Sequence, residues 1–551
     1  MRVPPYQGMT RRTGMAMCTI VGNENLRDLW NELSVNRGDH LFLAYQSKGG
    51  DKRSFTYAEF DRLINRTANY LRSLGVRKGD NVAIQLYNCP EYISVTFALA
   101  KLGAVAVPIN MQHMIDECVF VYEKCGIDMV IAEPDCQYYY STDAARDHAE
   151  ANPCAEWGEH GFKPHPLRHV LISHAAGEHL YEGMVDFDAA VAACSDELAD
   201  PCVLDALDVA MIIFTSGTTS CPKGVELTHA NMLFGGYFGD WQCGITEDDR
   251  LLTTMPAFHS NFQTAALMPV LTAGATLIYI EKYSARRYWK QVREYRATAI
   301  QLVAMMARTM MMQPVGPAER DHCVHSVQYY LAITDEEKDA FERRFDVRLQ
   351  NCYGATETVC WVLTDLPFGR RNWPSVGRPG LGYEVEILTD EGTPAAPGEV
   401  GDIVVKGIPG VTLMKGYYND PKATAKTMSA DGWYASGDKG YRDESGWFFF
   451  VDRKSNMIKR AGENISASEV EDVLIEHPAV AEVAVIGVPD PVRDQAVKAF
   501  LVLEGGAEAT VEEIVTFCSH RLADFKVPTI VEVVEDLPHT SVGKIAKKLL
   551  S

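Results

Sequence analysis

The sequence lacks any apolar run long enough to cross a lipid bilayer. About 18 uninterrupted apolar residues are needed for a membrane-spanning helix, whereas the longest candidates, such as Val209 to Phe214, have the length of one strand. It also lacks a CxxC pair and a histidine cluster at zinc-binding spacing. We therefore expect a soluble, cytoplasmic protein whose 14 cysteines are reduced and mostly buried.

Basic residues are scarce relative to acidic ones. The chain has 52 Lys and Arg against 74 Asp and Glu, a formal net charge of −22. Binding to nucleic acid or to an anionic membrane face needs a basic patch that replaces counterions. We therefore expect small-molecule partners, no nucleic acid and no membrane insertion, and the composition leaves open whether the chain forms a homo-oligomer.

The first 22 residues carry arginines and methionines, but no apolar segment follows them. A secretion signal needs such a segment, so residues 1–22 are predicted to be a flexible extension or a misassigned start. The whole chain, with 551 residues and 47% hydrophobic side chains, is long enough for a large core or several. Short peptides and disordered chains are excluded.

Strands and helices alternate through the first half of the chain. A capping-box pattern at Thr56 and Glu59 opens a stretch with apolar residues at helical spacing, which ends at Gly75. Short apolar runs of strand length then alternate with helical stretches; these runs are VAIQLY, AVAVPIN, MVIA, HVLI, VAMIIF, GATLIYI and TAIQLV. Repeated alternation predicts an α/β fold with parallel sheets covered by helices on both faces.

Three later segments have a different composition. Residues 135–166 have no clear period and are predicted to be a surface loop or insertion. After Gly377, short strands and Gly/Pro turns predict a small β-rich subdomain. Residues 454–551 predict a small α+β domain, in which Ser468 and Glu471 cap a helix that ends at Ile475. The predicted organisation is an extension 1–22, a large domain 23–453 and a C-terminal domain 454–551.

The run TSGTTSCPKG directly follows the apolar strand VAMIIF. Its glycines let backbone N–H groups approach an anion, its hydroxyls add donors and its lysine adds positive charge. It is not the common P-loop, because the lysine lies between a proline and a glycine and the short strand GVEL follows in place of a helix. We predict a phosphate cradle, with an ordinary hairpin loop as the alternative. Its candidate binding residues are Thr215, Ser216, Gly217, Thr218, Thr219, Ser220 and Lys223.

Four further motifs follow the cradle. They are YGATET from Tyr353, GWYASGDKGYRDESG around Asp438, VDRKSNMIKRAGENIS from Val451, and PHTSVGKI, which contains Lys544. An isolated Lys or Asp is usually a solvated surface charge. Together and in this order, the motifs resemble those of the adenylate-forming enzymes, which include acyl-CoA synthetases, peptide-synthetase adenylation domains and beetle luciferase. The resemblance extends from about Leu26 to the C terminus.

The resemblance implies a nucleotide role for the YGATET and Asp438 motifs. Tyr353, with Gly354, would stack on adenine, Thr356 would contact the α-phosphate and Glu357 would hold Mg²⁺. The residue types suit these ligands, since an aromatic face fits a purine and a carboxylate oxygen fits a hard cation. Asp438 would bind the ribose hydroxyls.

The resemblance also implies roles outside those two motifs. Arg453 would lie near the ribose and phosphate, and Lys454 and Ser455 would form a hinge. Lys544 would reach the α-phosphate and the acyl carboxylate. His259 would gate access of the acid to the phosphate, with a structural histidine as the alternative.

The reaction that the resemblance implies has two steps. A carboxylate resists attack by a thiol because oxide would have to leave, so the acid first attacks the α-phosphate of ATP, giving an acyl-adenylate and pyrophosphate. The C-terminal domain then swings about the hinge and brings Lys459, Arg460 and Gly462 toward the site, where the thiol of coenzyme A displaces AMP. A glycine at position 462 leaves room for the pantetheine arm. The expected cofactors are ATP and Mg²⁺, with coenzyme A as co-substrate.

One departure from the usual family pattern bears on the substrate. The small loop that usually precedes YGxTE is replaced by YYLAITDEEKDAF, which is similar to family members that activate betaine acids such as carnitine, crotonobetaine and γ-butyrobetaine. A trimethylammonium group has no hydrogen-bond donor, so aromatic faces should hold it. The candidates are Tyr237, Trp241, Phe262 and Trp361, with ordinary core packing as the alternative for each.

Three other functions stay open on the sequence. The chain could activate another short- or medium-chain acid, or load a carrier protein instead of free coenzyme A. It could also be a catalytically silent protein that binds adenylate or betaine. The presence of Lys223, Glu357, Asp438 and Lys544 favours an enzyme.

Overall fold

The computed structural model describes residues 21–151, 167–198, 201–215, 222–330, 333–453, 457–505, 509–538, 545 and 547–550. The predictions for residues 1–20, for Ser216 to Ser220 of the phosphate cradle, for the hinge residues and for Lys544 lie outside these ranges. The side chain of Arg453 is also outside the description. Within the described ranges, no helix has the length and apolar character needed to cross a membrane.

Two sheets with mainly parallel strands form the large N-terminal part. The first has nine strands, and those from Leu349–Tyr353 to Leu41–Gln46 are parallel. In spatial order the nine strands are Arg378–Pro379, Leu363–Thr364, Leu349–Tyr353, Ser326–Tyr330, Ala299–Val303, Arg250–Thr253, Thr276–Ile280, Leu41–Gln46 and Lys52–Thr56.

The second sheet has eight strands and is buried on both faces. Along its strand Asn81–Gln85, Val82 and Ile84 pack into one hydrophobic cluster and Ala83 into another, as the two-residue period of a strand requires. This burial confirms the prediction of covered parallel sheets. The strands, in spatial order, are Gly416–Tyr417, Lys223–Thr228, Val209–Thr215, Val105–Pro108, Asn81–Gln85, Met129–Ala132, His169–Ile172 and Met184–Asp186.

Helices join and cover these strands. The capping box at Thr56 is confirmed, because its Oγ1 accepts a hydrogen bond from the Glu59 backbone N–H (3.2 Å) and the Glu59 carboxylate accepts one from the Thr56 N–H (2.8 Å). The main helices of the large part are Leu26–Asn36, Tyr57–Ser73, Pro90–Leu102, Ile115–Cys125, Thr142–Ala151, Phe187–Ala192, His229–Cys243, Met268–Ala273, Tyr288–Glu294, Ala304–Met311, Asp335–Phe345 and Pro421–Thr427.

The prediction of a surface loop over residues 135–166 is wrong for its first half. A 3₁₀ helix covers Pro134–Tyr139 and an α-helix covers Thr142–Ala151. Cys136, Tyr139 and Ala144 are buried there, so their packing against the sheet stabilises structure that the mixed composition did not indicate. Residues 152–166 lie outside the described ranges.

A four-stranded antiparallel sheet confirms the β-rich subdomain. Its strands are Glu384–Leu388, Gly401–Lys406, Trp433–Arg442 and Phe448–Arg453. The last two strands pair so that the backbone of Asp438 lies directly opposite the backbone of Arg453. This sheet therefore leads from the Asp438 motif into the C-terminal residues.

The C-terminal residues have a five-stranded sheet and their own hydrophobic cluster, which includes Ile458, Val470 and Leu501. The strands are Glu463–Ser466, Met457–Arg460, Asp494–Leu503, Val480–Asp490 and, paired to Asp494–Leu503, Ile530–Val533; the helices are Ala467–Ile475 and Val511–Ser519.

The predicted cap of the first C-terminal helix is wrong. The helix begins at Ala467, and the Ser466 hydroxyl accepts a hydrogen bond from the Glu469 N–H (3.4 Å). Glu471 instead accepts a hydrogen bond from the Val485 N–H (2.5 Å). Ser466 is the last residue of the strand Glu463–Ser466 and directly precedes the helix, so the helix begins two residues earlier than the sequence pattern indicated.

Candidate active site

Three of the predicted nucleotide residues, Tyr353, Thr356 and Glu357, lie where parallel strands of the nine-stranded sheet end. Tyr353 is the last residue of Leu349–Tyr353, and Thr356 and Glu357 follow in a 3₁₀ turn, Thr356–Thr358. Val303 ends the strand Ala299–Val303 in the same sheet. The carboxyl ends of parallel strands are the usual ligand-binding edge of α/β sheets.

Lys223 and Glu357 are linked through Tyr417. The strands Val209–Thr215 and Lys223–Thr228 are antiparallel, with Thr215 opposite Lys223, so both predicted residues sit at the base of the loop between them. The Lys223 ammonium lies 5.0 Å from the centroid of the Tyr417 ring. The Tyr417 hydroxyl donates a hydrogen bond of 2.9 Å to Glu357 Oε1.

Tyr417 was not identified from the sequence. Burial, reinforced by the neighbouring Glu357 carboxylate, raises the pKa of its phenol well above the ordinary value. The hydroxyl therefore stays protonated and can only donate to Glu357. No local signal marks this residue, because its role depends on the pairing of Gly416–Tyr417 with the strand Lys223–Thr228.

Thr356 and His259 lie on adjoining segments. The Thr356 and Ser260 hydroxyl oxygens are 3.3 Å apart. His259 precedes the short helix Ser260–Phe262, and its Nδ1 accepts a hydrogen bond from the Asn261 N–H (3.3 Å). His259 therefore has a capping role in this structure and is also next to the predicted α-phosphate contact.

Buried Asn88 fixes the turn that precedes His259. Its Nδ2 donates to the Met255 carbonyl (3.0 Å), and its Oδ1 accepts from the Ala257 N–H (2.9 Å). Asn88 was not among the predicted site residues, although the motif NCPE that contains it is distinctive.

The backbone after Glu357 is strained. Val359 is a β-branched residue with φ of 63°, in the left-handed region that such residues rarely adopt. Its carbonyl accepts a hydrogen bond of 2.7 Å from the Thr264 hydroxyl. Strain of this kind costs about 1–3 kcal/mol and persists where surrounding contacts impose it, which here fixes Glu357 relative to Trp361.

Gly354 permits a close approach of two segments. A Cβ at this position would collide with the Cys360 carbonyl and lie 3.1 Å from the Trp361 Cα. Trp361 therefore lies beside the YGATET motif, and its ring stacks on that of Tyr330 with centroids 4.2 Å apart.

Tyr353 contacts the predicted ribose-binding carboxylate. Its hydroxyl donates a 2.6 Å hydrogen bond to Asp438 Oδ2, and Asp438 is buried. The Tyr353 ring lies 6.0 Å from that of Phe450, and the Lys459 ammonium lies 4.6 Å from the Phe450 ring centroid. The structure thus brings together Tyr353, Asp438 and Lys459.

The strands Met457–Arg460 and Glu463–Ser466 form a hairpin, called the C-terminal hairpin below. Its turn lies near the end of the strand Ala299–Val303. Gly462 has φ of +95°, and a Cβ there would be 3.7 Å from Val303 Cγ1. The guanidinium of Arg460 donates a hydrogen bond of 2.6 Å to the Phe525 carbonyl within the C-terminal residues, and its role near coenzyme A stays a prediction. Burial lowers the pKa of Arg460.

Only part of the predicted aromatic set meets at this edge. Trp361 lies at this edge. Phe262 is fully buried, and its ring stacks on the ring of Tyr279 with centroids 4.6 Å apart. The recorded contacts of Tyr237 and Trp241 within the described residues are elsewhere: the Tyr237 hydroxyl donates to Glu24 (3.1 Å), and Trp241 packs on Phe238 (5.4 Å).

Known protein families and individual relatives match this chain over most of its length. The model of the AMP-binding enzyme family matches residues 32–418, and that of the AMP-binding enzyme C-terminal domain matches residues 469–544. Crotonobetaine/carnitine–CoA ligases of Salmonella heidelberg (strain SL476) and Citrobacter koseri are each 44% identical to this chain, covering 96% of it and 99% of the relative.

Solved structures agree with these relatives. An o-succinylbenzoate CoA synthetase double mutant from Bacillus subtilis is 26% identical, with a TM-score of 0.80 over 96% of this chain and 98% of that one. A fatty acyl CoA synthetase from Mycobacterium tuberculosis is 27% identical, with a TM-score of 0.66 over 96% and 97%. The chain belongs to the AMP-binding enzyme family, and within it to the AMP-forming acyl-CoA synthetases.

Tyr417→Phe tests the link between Lys223 and Glu357. The substitution removes the hydroxyl that orients Glu357, so we expect the rate of adenylate formation, measured by ATP–pyrophosphate exchange, to fall about tenfold or more. Tyr418→Phe is the matched control, because the Tyr418 hydroxyl contacts Asn81 (3.0 Å) and not Glu357. Equal exchange rates for the two variants would contradict the assigned role.

Proposed function

We propose that this chain is an ATP-dependent ligase that converts a betaine-type carboxylic acid to its coenzyme A thioester through an acyl-adenylate. Carnitine, crotonobetaine and γ-butyrobetaine are the candidate acids, and pyrophosphate and AMP are the other products. The observation that carries the chemistry is the convergence of Lys223, Tyr417, Glu357 and Thr356 where the two large sheets meet. The 44% identity to the crotonobetaine/carnitine–CoA ligases supports the acid class.

In the adenylation step, Tyr353 would stack on adenine while buried Asp438 accepts hydrogen bonds from the ribose hydroxyls. Lys223 and the loop that follows Thr215 would offset the charge of the phosphates, and Thr356 would orient the α-phosphate. Glu357 suits Mg²⁺, because one carboxylate oxygen is held by Tyr417 and the other accepts no hydrogen bond from the described residues. Mg²⁺ bound there would supply charge neutralisation on the phosphates.

Lys544 completes this step in the proposal. It would contact the α-phosphate and the attacking carboxylate oxygen, so that both negative groups approach each other without repulsion. Cys221 and Cys352 have no covalent role, since the acyl group moves from AMP to an external thiol. Burial raises the pKa of the Cys352 thiol far above its ordinary value, which disfavours a nucleophilic thiolate there.

In the transfer step, the C-terminal hairpin would occupy the site and coenzyme A would enter along it. The proximity of Gly462 to Val303 and the position of Lys459 over Phe450 support assigning the present arrangement to this step. The C-terminal residues 454–551 would rotate as one unit on residues 23–453, and their separate hydrophobic cluster supports that division. We place the enzyme in the cytoplasm, where thiols such as its unpaired cysteines stay reduced.

A panel of acids tests the betaine assignment. We expect AMP formation in the presence of coenzyme A to be fastest with a betaine acid and slow with the tert-butyl analogue of γ-butyrobetaine, in which carbon replaces nitrogen. Trp361→Ala should raise KM about tenfold for the betaine acid, because a cation–π contact is lost, while changing KM for the analogue little. Equal turnover of the charged and uncharged acids would contradict betaine recognition.

Two substitutions separate the steps of the reaction. Lys544→Ala should abolish pyrophosphate exchange yet leave thiol transfer from a supplied acyl-adenylate largely intact. Gly462→Leu should do the reverse, since position 462 has a left-handed φ and faces Val303. The two assays are run side by side on each purified variant, and equal loss of both steps in both variants would refute the two-conformation mechanism.

A further inference from the structure

A largely buried arginine side chain joins the large part of the chain to the C-terminal residues. Arg308, on the helix Ala304–Met311, donates a hydrogen bond of 2.8 Å from Nη1 to Asp494 Oδ1. The same guanidinium donates from Nε to Glu337 Oε1 at 2.7 Å. The side chains of Arg308 and Asp494 are only 15% and 13% exposed, so the pair is shielded from solvent screening.

Asp494 adopts an unfavourable backbone conformation at this contact. Its φ is 69°, a left-handed value that costs most residues energy and suits glycine or asparagine better. Its Oδ2 is buried without a hydrogen-bond partner among the described residues. Aspartate tolerates a left-handed φ better than most residues do, and its carboxylate accepts its hydrogen bond from Arg308, across the two parts of the chain.

The contact lies beside the turn that must admit the thiol. Asp494 is opposite Arg460 in the hairpin sheet, and the Ala461 N–H donates to the Arg493 carbonyl (2.9 Å). Gly462, the next residue, faces Val303, which directly precedes the helix that carries Arg308. The turn 461–463 therefore lies close to the large part, and the Arg308–Asp494 hydrogen bond joins the two parts beside it.

We propose that Arg308 and Asp494 form a latch that selects the thiol-transfer arrangement of the two parts and positions the turn 461–463 for it. This inference rests on the proposed two-step function and assigns positioning roles to residues outside the nucleotide motifs. Glu337 keeps Arg308 oriented in either arrangement, since both lie on the large part. Of these three side chains, only Asp494 has to leave when the C-terminal residues move, so the latch favours one arrangement without fixing it permanently.

The test measures the two half-reactions separately. Pyrophosphate exchange reports adenylation, and single-turnover transfer from a synthetic acyl-adenylate to coenzyme A reports the second step. Asp494→Asn and Arg308→Gln should each slow transfer about tenfold while leaving exchange unchanged or faster. The double variant should be no slower than either single variant, because the lost interaction is the same.

Asp494→Gly distinguishes positioning from a structural role. Glycine suits the left-handed φ, so thermal stability should be kept or raised while transfer still falls. Lys498→Gln is the control, because it breaks a 3.0 Å ion pair with Glu532 inside the C-terminal sheet and should leave both half-reactions unchanged.

Four outcomes would count against these conclusions. Equal slowing of both half-reactions, or normal transfer in Asp494→Asn, would overturn the latch. Additive losses in the double variant would overturn it as well. Absence of exchange and of thioester formation in the unaltered protein, with every acid of the panel, would contradict the proposed function itself and the latch with it.

Discussion

The hydrogen bond between Tyr417 and Glu357 joins the two large sheets at the site. Glu357 follows a strand of the nine-stranded sheet, whereas Tyr417 belongs to the eight-stranded sheet that also supplies Lys223. The Met414 N–H donates to the Glu357 carbonyl at 2.8 Å and reinforces the junction. A chain with net charge −22 can hold a triphosphate only through such locally placed groups.

Elements defined by neighbouring residues were predictable from the sequence. The capping box at Thr56, the strand before the phosphate cradle and the β-rich subdomain are all present. Tyr417 and Asn88 were not found, because their partners Glu357 and Ala257 are 60 and 169 residues away in the sequence. The helix within residues 135–166 was missed for the same reason, since its burial depends on the distant sheet.

The latch and the nucleotide residues divide the work of the site between two parts of the chain. In the proposed mechanism, residues of the large part would hold ATP and the acid, and the position of the C-terminal residues would decide which step follows. Arg308 lies on the helix that begins directly after Val303, so its contact with Asp494 would connect the proposed movement of the C-terminal residues to the strand end near which Gly462 lies.

In the proposed reaction, the acid's carboxylate attacks the α-phosphate of ATP. The most direct test uses an acid labelled with ¹⁸O in its carboxylate, turned over with ATP and coenzyme A, followed by mass spectrometry of the nucleotide and phosphate products. An acyl-adenylate mechanism transfers one ¹⁸O atom to AMP and none to pyrophosphate. Unlabelled AMP, or label found in inorganic phosphate together with ADP, would contradict the acyl-adenylate mechanism.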